Sequence, residues 1–86
     1  MALQGLCVMV VEDHGFQRRM ALRLLADLGL TRVHEAADGN GALDQLQALQ
    51  APADVVIVDL DLPGMDGVEF IGHLADRRLA RAIIVA

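Results

Sequence analysis

The sequence predicts an α/β fold, with an open, doubly wound parallel sheet and helices on both of its faces. Two continuous apolar runs, 6–11 and 55–58, lack polar alternation, which is typical of strands buried on both faces in a parallel sheet. Segments with helical apolar spacing follow these runs, so the predicted element order is βαβαβαβ with right-handed crossovers. A chain of 86 residues is long enough for one small domain of this kind.

The first predicted strand, 6–11, ends in two carboxylates, Glu12 and Asp13. The helix after it is amphipathic, so one side is predicted to face the sheet and the other to face solvent. The predicted inward side holds Phe16, Met20, Ala21, Leu24, Leu25 and Leu28, and the predicted solvated side holds Arg18, Arg19, Arg23 and Asp27. Gly29 suits a C-terminal cap, and the short, more polar run 32–36 is typical of an edge strand.

The second helix is predicted to follow the turn at Asp38-Gly39, where Asn40 can act as its cap. Its apolar spacing predicts four inward residues, Ala42, Leu43, Leu46 and Leu49. The apolar run 55–58 then predicts the third strand, and Asp59 is predicted to stand at the last position of that strand.

A loop punctuated by Pro63 and Gly64 leads to the third helix. Asp66 and Glu69 have the spacing of a capping box, in which the first residue caps the helix and the second reaches back. The residues that this helix is predicted to bury are Val68, Ile71, Leu74 and Ala75. The apolar run 82–86 is predicted to be a fourth strand.

Carboxylates follow two strands that the predicted topology makes neighbours. If the strand order is 2-1-3-4, the order reverses beside strands 1 and 3, and their carboxyl edges form the crevice where such sheets bind ligands. Neighbouring strands lie about 4.8 Å apart, so Glu12, Asp13 and Asp59 are predicted to converge there. Three such carboxylates repel one another unless some take up protons or a cation joins them. A hard divalent ion that prefers oxygen ligands and keeps several waters fits, which predicts Mg²⁺.

Composition restricts the function further. The net charge is −5 and the chain contains no lysine, which argues against direct binding of nucleic acid. Cys7 is the only cysteine and lies inside an apolar run, which is typical of a reduced core residue in a cytosolic protein. No apolar run approaches the roughly 18 to 20 residues of a membrane span, and no leader pattern is present. We therefore expect a cytoplasmic protein with no membrane association.

Three segments together resemble the receiver domain of bacterial response regulators, the CheY-like family. They are Val-Val-Glu-Asp-His at 10–14, Glu-Ala-Ala-Asp-Gly-Asn-Gly-Ala-Leu at 35–43, and Val-Asp-Leu-Asp-Leu-Pro-Gly-Met-Asp-Gly at 58–67. The resemblance covers essentially the whole chain and implies a flavodoxin-like receiver fold. It also implies a signalling role rather than an enzymatic one.

The resemblance implies that Asp59 accepts a phosphoryl group from a sensor histidine kinase or a phosphotransfer protein, which switches an output domain or partner. Glu12, Asp13, Asp59 and the backbone carbonyl of Asp61 would then hold Mg²⁺. The side chain of Asp61 either extends over the site or is simply exposed, and we favour exposure.

Three loop residues are expected to shape this site. Pro63 and Gly64 would fix the loop so that the Asp61 carbonyl can point inward, and Gly67 would let the next helix start close to the site. His14 beside the acidic pair could ligate a metal, but an exposed loop histidine is the interpretation that we favour.

A complete receiver domain has a fifth strand, two more helices, a Ser or Thr after the fourth strand and a Lys ending the fifth. The sequence stops at Ala86, its only hydroxyl side chain is Thr31, and it has no lysine. We therefore expect residues 1–86 to be the truncated, N-terminal part of a receiver domain. The fourth strand would then be an apolar edge, through which we expect the chain to self-associate.

Two alternatives remain open at this point. Asp59-Leu60-Asp61 after an apolar strand also resembles the first motif of haloacid dehalogenase-type phosphatases, in which the first Asp is the nucleophile. Leu62-Pro63 in place of a small hydroxyl residue and the preceding Glu12-Asp13 pair argue against that alternative. The other alternative is a phosphate-independent pseudo-receiver that serves as an interaction module.

Overall fold

The structure, a computed structural model, describes residues 3–86. A short 3-10 helix at Leu3–Gly5 precedes seven elements. In chain order these are β1 (Cys7–Val11), α1 (Gly15–Asp27), β2 (Arg32–Ala36), α2 (Gly39–Ala48), β3 (Ala53–Val58), α3 (Gly67–Asp76) and β4 (Ala80–Val85). The strands form one parallel sheet with the order β2-β1-β3-β4, which confirms the predicted fold class and strand order.

The register of the sheet brings the carboxyl ends of β1 and β3 to the same level. Val8 pairs with Val55 and Val11 pairs with Val58. β3 ends at Val58, one residue earlier than predicted, but the backbone N–H of Asp59 still donates to the carbonyl of Val11 at 3.2 Å. The backbone of Asp59 is therefore held by the sheet even though the residue lies just beyond the strand.

One face of the sheet, which we call the α2/α3 face, carries the hydrophobic core. Its largest buried side chains come from the strands and from both helices: Met9, Val11, Leu46, Val56, Val58, Phe70 and Leu74. The predicted inward residues Ala42, Leu43 and Leu46 of α2 are buried as expected. The N-cap of α2 is Asp38 rather than Asn40, because Asp38 Oδ1 accepts a hydrogen bond from the N–H of Gly41 at 2.7 Å.

The buried side of α3 differs from the prediction. Phe70 is fully buried, whereas Val68 is 69% exposed and Ala75 is also exposed. Asp66 caps the helix by accepting from the N–H of Val68 at 2.7 Å. Glu69 does not complete the predicted capping box, because its carboxylate lies 3.6 Å from the ring of His73 one turn further on.

The opposite face, which we call the α1 face, is only partly covered. No residue of α1 is buried, and four residues of the predicted inward stripe are exposed: Phe16, Met20, Leu24 and Leu28. Arg18, predicted to be solvated, instead turns toward the sheet, where its side chain is 21% exposed. Val55 and Ile57 of β3 are only half-buried, so this strand is not buried on both faces as predicted.

Within residues 3–86, every helix is too short or too polar to cross a membrane. Cys7 is a free thiol buried in the core, as its position in an apolar run predicted.

Candidate functional site

The carboxyl edge of β1 and β3 gathers four side chains that can bind a cation. Glu12, Asp13, His14 and Asp59 each offer one ligand atom, and these atoms all lie within 4.8 Å of one another. We call this group the acidic edge. The three carboxylates that the sequence predicted to converge therefore do so, and His14 lies among them.

Glu12 is held in place by contacts to both its backbone and its side chain. The Arg18 Nη1 atom donates to the Glu12 carbonyl oxygen at 2.8 Å, and Arg18 Nε donates to Glu35 at 3.1 Å. The N–H of His14 donates to Glu12 Oε2 at 3.1 Å. Arg18 thus holds the backbone of Glu12, and His14, the residue before α1, fixes the direction of the Glu12 carboxylate.

Asp59 is fixed by the backbone of the loop that follows it. Its Oδ1 atom accepts a hydrogen bond from the N–H of Asp61 at 2.9 Å, a turn that Asp side chains form readily. The side chain of Asp61 is exposed and takes no part in the acidic edge. A metal-ligand role for the Asp61 carbonyl stays a prediction.

The loop after Asp59 needs glycine at two positions. Gly64 has φ +78°, a left-handed conformation that side chains disfavour. A Cβ atom on Gly67 would lie 2.5 Å from Leu60 Cα, so no side chain fits there. The N–H of Gly67 also donates to the Leu60 carbonyl at 3.2 Å, which brings the start of α3 against the loop. Pro63 lies exposed beside Gly64.

His14 is exposed, as the sequence analysis favoured, but its ring also contacts both carboxylates of the acidic pair. Its Nδ1 atom lies 3.2 Å from Glu12 Oε2 and 3.1 Å from Asp13 Oδ1. The hydrogen bond with Glu12 and the charge of Asp13 raise the pKa of His14 above its usual value, although desolvation opposes them. The only signal in the sequence was the position of His14 directly after the acidic pair, which gives no ring orientation.

One oxygen at the acidic edge fits a bound cation. Asp13 Oδ1 is buried and accepts no hydrogen bond from residues 3–86. His14 Nδ1 is within ion-pair distance of that oxygen, but its hydrogen bond is directed at Glu12. A buried carboxylate oxygen without a donor is costly unless a cation meets it. Together with Glu12 and Asp59 it forms the all-oxygen donor set that Mg²⁺ prefers.

The chain is similar to known proteins over nearly its whole length. A family model for the response regulator receiver domain matches residues 8–86. The chain is 37% identical over 73 residues to the chemotaxis protein CheY of Pseudomonas aeruginosa. The aligned segment covers 84% of this chain and 57% of that protein. It is 36% identical over 76 residues to a protein-glutamate methylesterase/protein-glutamine glutaminase of Natronomonas pharaonis, which covers 88% of this chain and 21% of that protein.

Solved structures show the same fold. The chemotaxis response regulator CheY4 of Vibrio cholerae aligns with a TM-score of 0.80 at 32% identity, covering 93% of this chain and 66% of that one. The response regulator TrrA of Thermotoga maritima, in complex with Mg(2+)-BeF, aligns with a TM-score of 0.82 at 26% identity, covering 94% of this chain and 70% of that one. These matches favour neither the phosphatase nor the pseudo-receiver alternative.

Proposed function

The chain belongs to the response regulator receiver domain family, and from this premise we propose that Asp59 is its phosphoacceptor. The donor would be a phosphohistidine on a sensor histidine kinase or a phosphotransfer protein, and the cofactor would be Mg²⁺. The observation that carries the proposal is the convergence of Asp59 with Glu12 and Asp13 at the carboxyl edge of two neighbouring strands. This edge is where open α/β sheets bind their ligands.

The proposed reaction uses the fixed carboxylate of Asp59. Because Oδ1 accepts the N–H of Asp61, Oδ2 is the oxygen that we assign to attack the phosphorus. A bond forms between this oxygen and phosphorus as the bond between phosphorus and the donor's imidazole nitrogen breaks, and the imidazole keeps the electron pair. The side chain does not have to reorient for this step, which lowers the entropy cost of reaching an in-line geometry.

We propose that Glu12, Asp13, Asp59 and the carbonyl of Asp61 hold the Mg²⁺. When bound, the ion would offset the negative charge that gathers on the carboxylates and the phosphoryl oxygens. The buried Asp13 Oδ1 atom, which accepts no hydrogen bond within residues 3–86, supports this assignment. Arg18 would act by keeping the backbone of Glu12 in place rather than by touching the phosphoryl group.

The test is covalent phosphorylation by a small phosphodonor, phosphoramidate, followed by intact mass spectrometry. We expect one phosphoryl group per chain when Mg²⁺ is present, and none when the ion is chelated. Asp59→Asn should abolish the modification, whereas Asp44→Asn, at an exposed position on α2, should leave it unchanged. Modification that persists in Asp59→Asn would contradict the assignment.

We further propose that residues 1–86 are the N-terminal part of a longer receiver domain in a cytoplasmic protein. The chain spans 57% of the CheY relative and 21% of the methylesterase relative, which supports the proposal. The incompletely covered α1 face supports it as well, because a further element could cover the exposed apolar residues there. Phosphorylation of the domain would then switch an output domain or a separate partner.

A second copy of the chain is another partner that we propose, through β4. This strand lies at one edge of the sheet, and Ile84 and Val85 are about half exposed, at 52% and 50%. An apolar edge strand offers unpaired backbone groups for pairing with another chain. The other edge strand, β2, carries polar residues such as His34 and Glu35 and is a weaker candidate.

Sedimentation velocity over a wide concentration range tests this proposal. We expect the sedimentation coefficient to rise with concentration, and Ile84→Lys to suppress the rise because a charge on an edge strand opposes pairing. His34→Lys, on the opposite edge, serves as the matched control and should keep the rise. A compact monomer at every concentration would contradict self-association.

A further inference from the structure

We propose that His14 Nδ1 is a direct ligand of the divalent ion at the acidic edge. The site would then offer a nitrogen beside its carboxylate oxygens, and it would bind borderline transition ions, such as Co²⁺ and Ni²⁺, more tightly than the same carboxylates would without the imidazole. The inference rests on the proposed cation site and adds to it the class of ion that this chain selects.

The distances at the acidic edge suit this role. In an octahedral site with bonds of about 2.1 Å, neighbouring ligand atoms lie about 3 Å apart. His14 Nδ1 lies 3.1 Å from Asp13 Oδ1 and 3.2 Å from Glu12 Oε2. Both separations match those expected of neighbouring ligand positions around one ion, for the neutral imidazole whose lone pair is on Nδ1. The ligand atom of Asp59 lies within 4.8 Å of each of the other three.

The backbone places His14 for this role before any ion binds. His14 is the N-cap residue of α1, with an extended backbone at φ −79° and ψ 113°. It makes no capping hydrogen bond with its side chain, so the ring is not committed to the helix. Its own N–H donates to Glu12 Oε2 at 3.1 Å, which holds residue 14 close to the carboxylates.

A nitrogen ligand changes which ion is favoured. Mg²⁺ prefers oxygen ligands, whereas imidazole suits later first-row transition ions, whose affinities rise from Mn²⁺ through Co²⁺ and Ni²⁺ to Cu²⁺. The buried Asp13 Oδ1 atom, which accepts no hydrogen bond within residues 3–86, supplies an oxygen ligand to either class of ion. Selectivity would therefore depend on the imidazole and not on the carboxylates.

The test combines pulsed EPR of Mn²⁺ with competition between Co²⁺ and Mg²⁺, using tag-free protein. The variants are His14→Gln and, as the matched control, His73→Gln. His73 forms a histidine–carboxylate pair outside the acidic edge, with its ring 3.6 Å from Glu69. We expect a nitrogen coupling from a bound imidazole in the unchanged protein and in His73→Gln, and its loss in His14→Gln. The affinity for Co²⁺ should fall about tenfold in His14→Gln, which is the size of loss typical when a residue that supports a metal site is removed. The affinity for Mg²⁺ should change little.

Each contrary result has a distinct meaning. Mn²⁺ that binds without a nitrogen coupling, or with a coupling that survives His14→Gln, would overturn the role of His14 and leave the oxygen site standing. If neither Mg²⁺ nor Mn²⁺ binds, the proposed cation site fails and the inference fails with it. Asp13→Asn separates the two contributions, because it should weaken both ions together.

Discussion

The two faces of the sheet differ in how completely their helices cover them. On the α2/α3 face, Phe70, Leu74 and Val56 are fully buried. On the α1 face, Phe16 is 68% exposed and Leu24 is 61% exposed, although both belong to an apolar stripe. An apolar stripe on a helix therefore indicates a surface that can be buried, but it is buried only where another helix or strand packs against it. Stability should therefore come mainly from the α2/α3 face.

The two phenylalanines of the chain lie on opposite faces of the sheet, so their alanine variants test how differently the two faces are packed. Phe70→Ala should lower the free energy of unfolding by about 3–5 kcal/mol, because it removes a fully buried side chain and leaves a cavity. Phe16→Ala should change it by no more than about 0.5 kcal/mol, since most of that ring already meets solvent. Urea denaturation at low protein concentration measures both. Equal losses in the two variants would mean that the α1 face is as well packed as the other.

Two glycines of α3 test how closely the start of this helix approaches the preceding loop. Gly67→Ala should destabilise the protein by about 1–3 kcal/mol, because a Cβ atom there would collide with the Leu60 backbone. Gly72→Ala is the matched control: a Cβ atom at Gly72 has no neighbour within 4 Å. Alanine should stabilise the helix at that position by up to about 1 kcal/mol. If both variants shift the urea midpoint in the same direction, the close approach of α3 to the loop is wrong.

Two arginines of α1 give the smallest expected difference. Arg18→Met should cost about 1 kcal/mol, because it removes a hydrogen bond to the Glu12 carbonyl and an exposed ion pair with Glu35. Arg19→Met, at an exposed position of the same helix, should change the unfolding free energy by no more than about 0.5 kcal/mol. Thermal denaturation of both variants and the unchanged protein measures this difference in stability. A larger loss for Arg19 than for Arg18 would contradict the contact of Arg18 with the acidic edge.

Much of the fold could be predicted from the sequence because its signals are local. The apolar runs of β1 and β3 identify the two central strands, and the alternation with helices predicts a parallel sheet. The inward side of α3 could not be read in the same way. Apolar residues at Val68, Phe70 and Ile71 surround much of that helix, so periodicity alone does not choose the buried side. The contact with α2 decides that Phe70 is buried and Val68 is not.

The acidic edge, too, could be predicted only in part. Glu12, Asp13 and Asp59 could be placed together because the ends of neighbouring parallel strands meet at one edge. The contacts of Arg18 and His14 depend on side-chain rotamers that spacing does not determine. Helical spacing put Arg18 with its solvated neighbours, yet its long side chain reaches across to the Glu12 carbonyl.

The role of Asp59 as phosphoacceptor is best tested by NMR of the amide groups while beryllofluoride, a phosphoryl mimic, is added together with Mg²⁺. We expect saturable shifts at Glu12, Asp13 and Asp59 that require both Mg²⁺ and beryllofluoride and that disappear in Asp59→Asn. Shifts that are absent from this edge, or that remain in Asp59→Asn, would contradict the assignment of Asp59 as the phosphoacceptor.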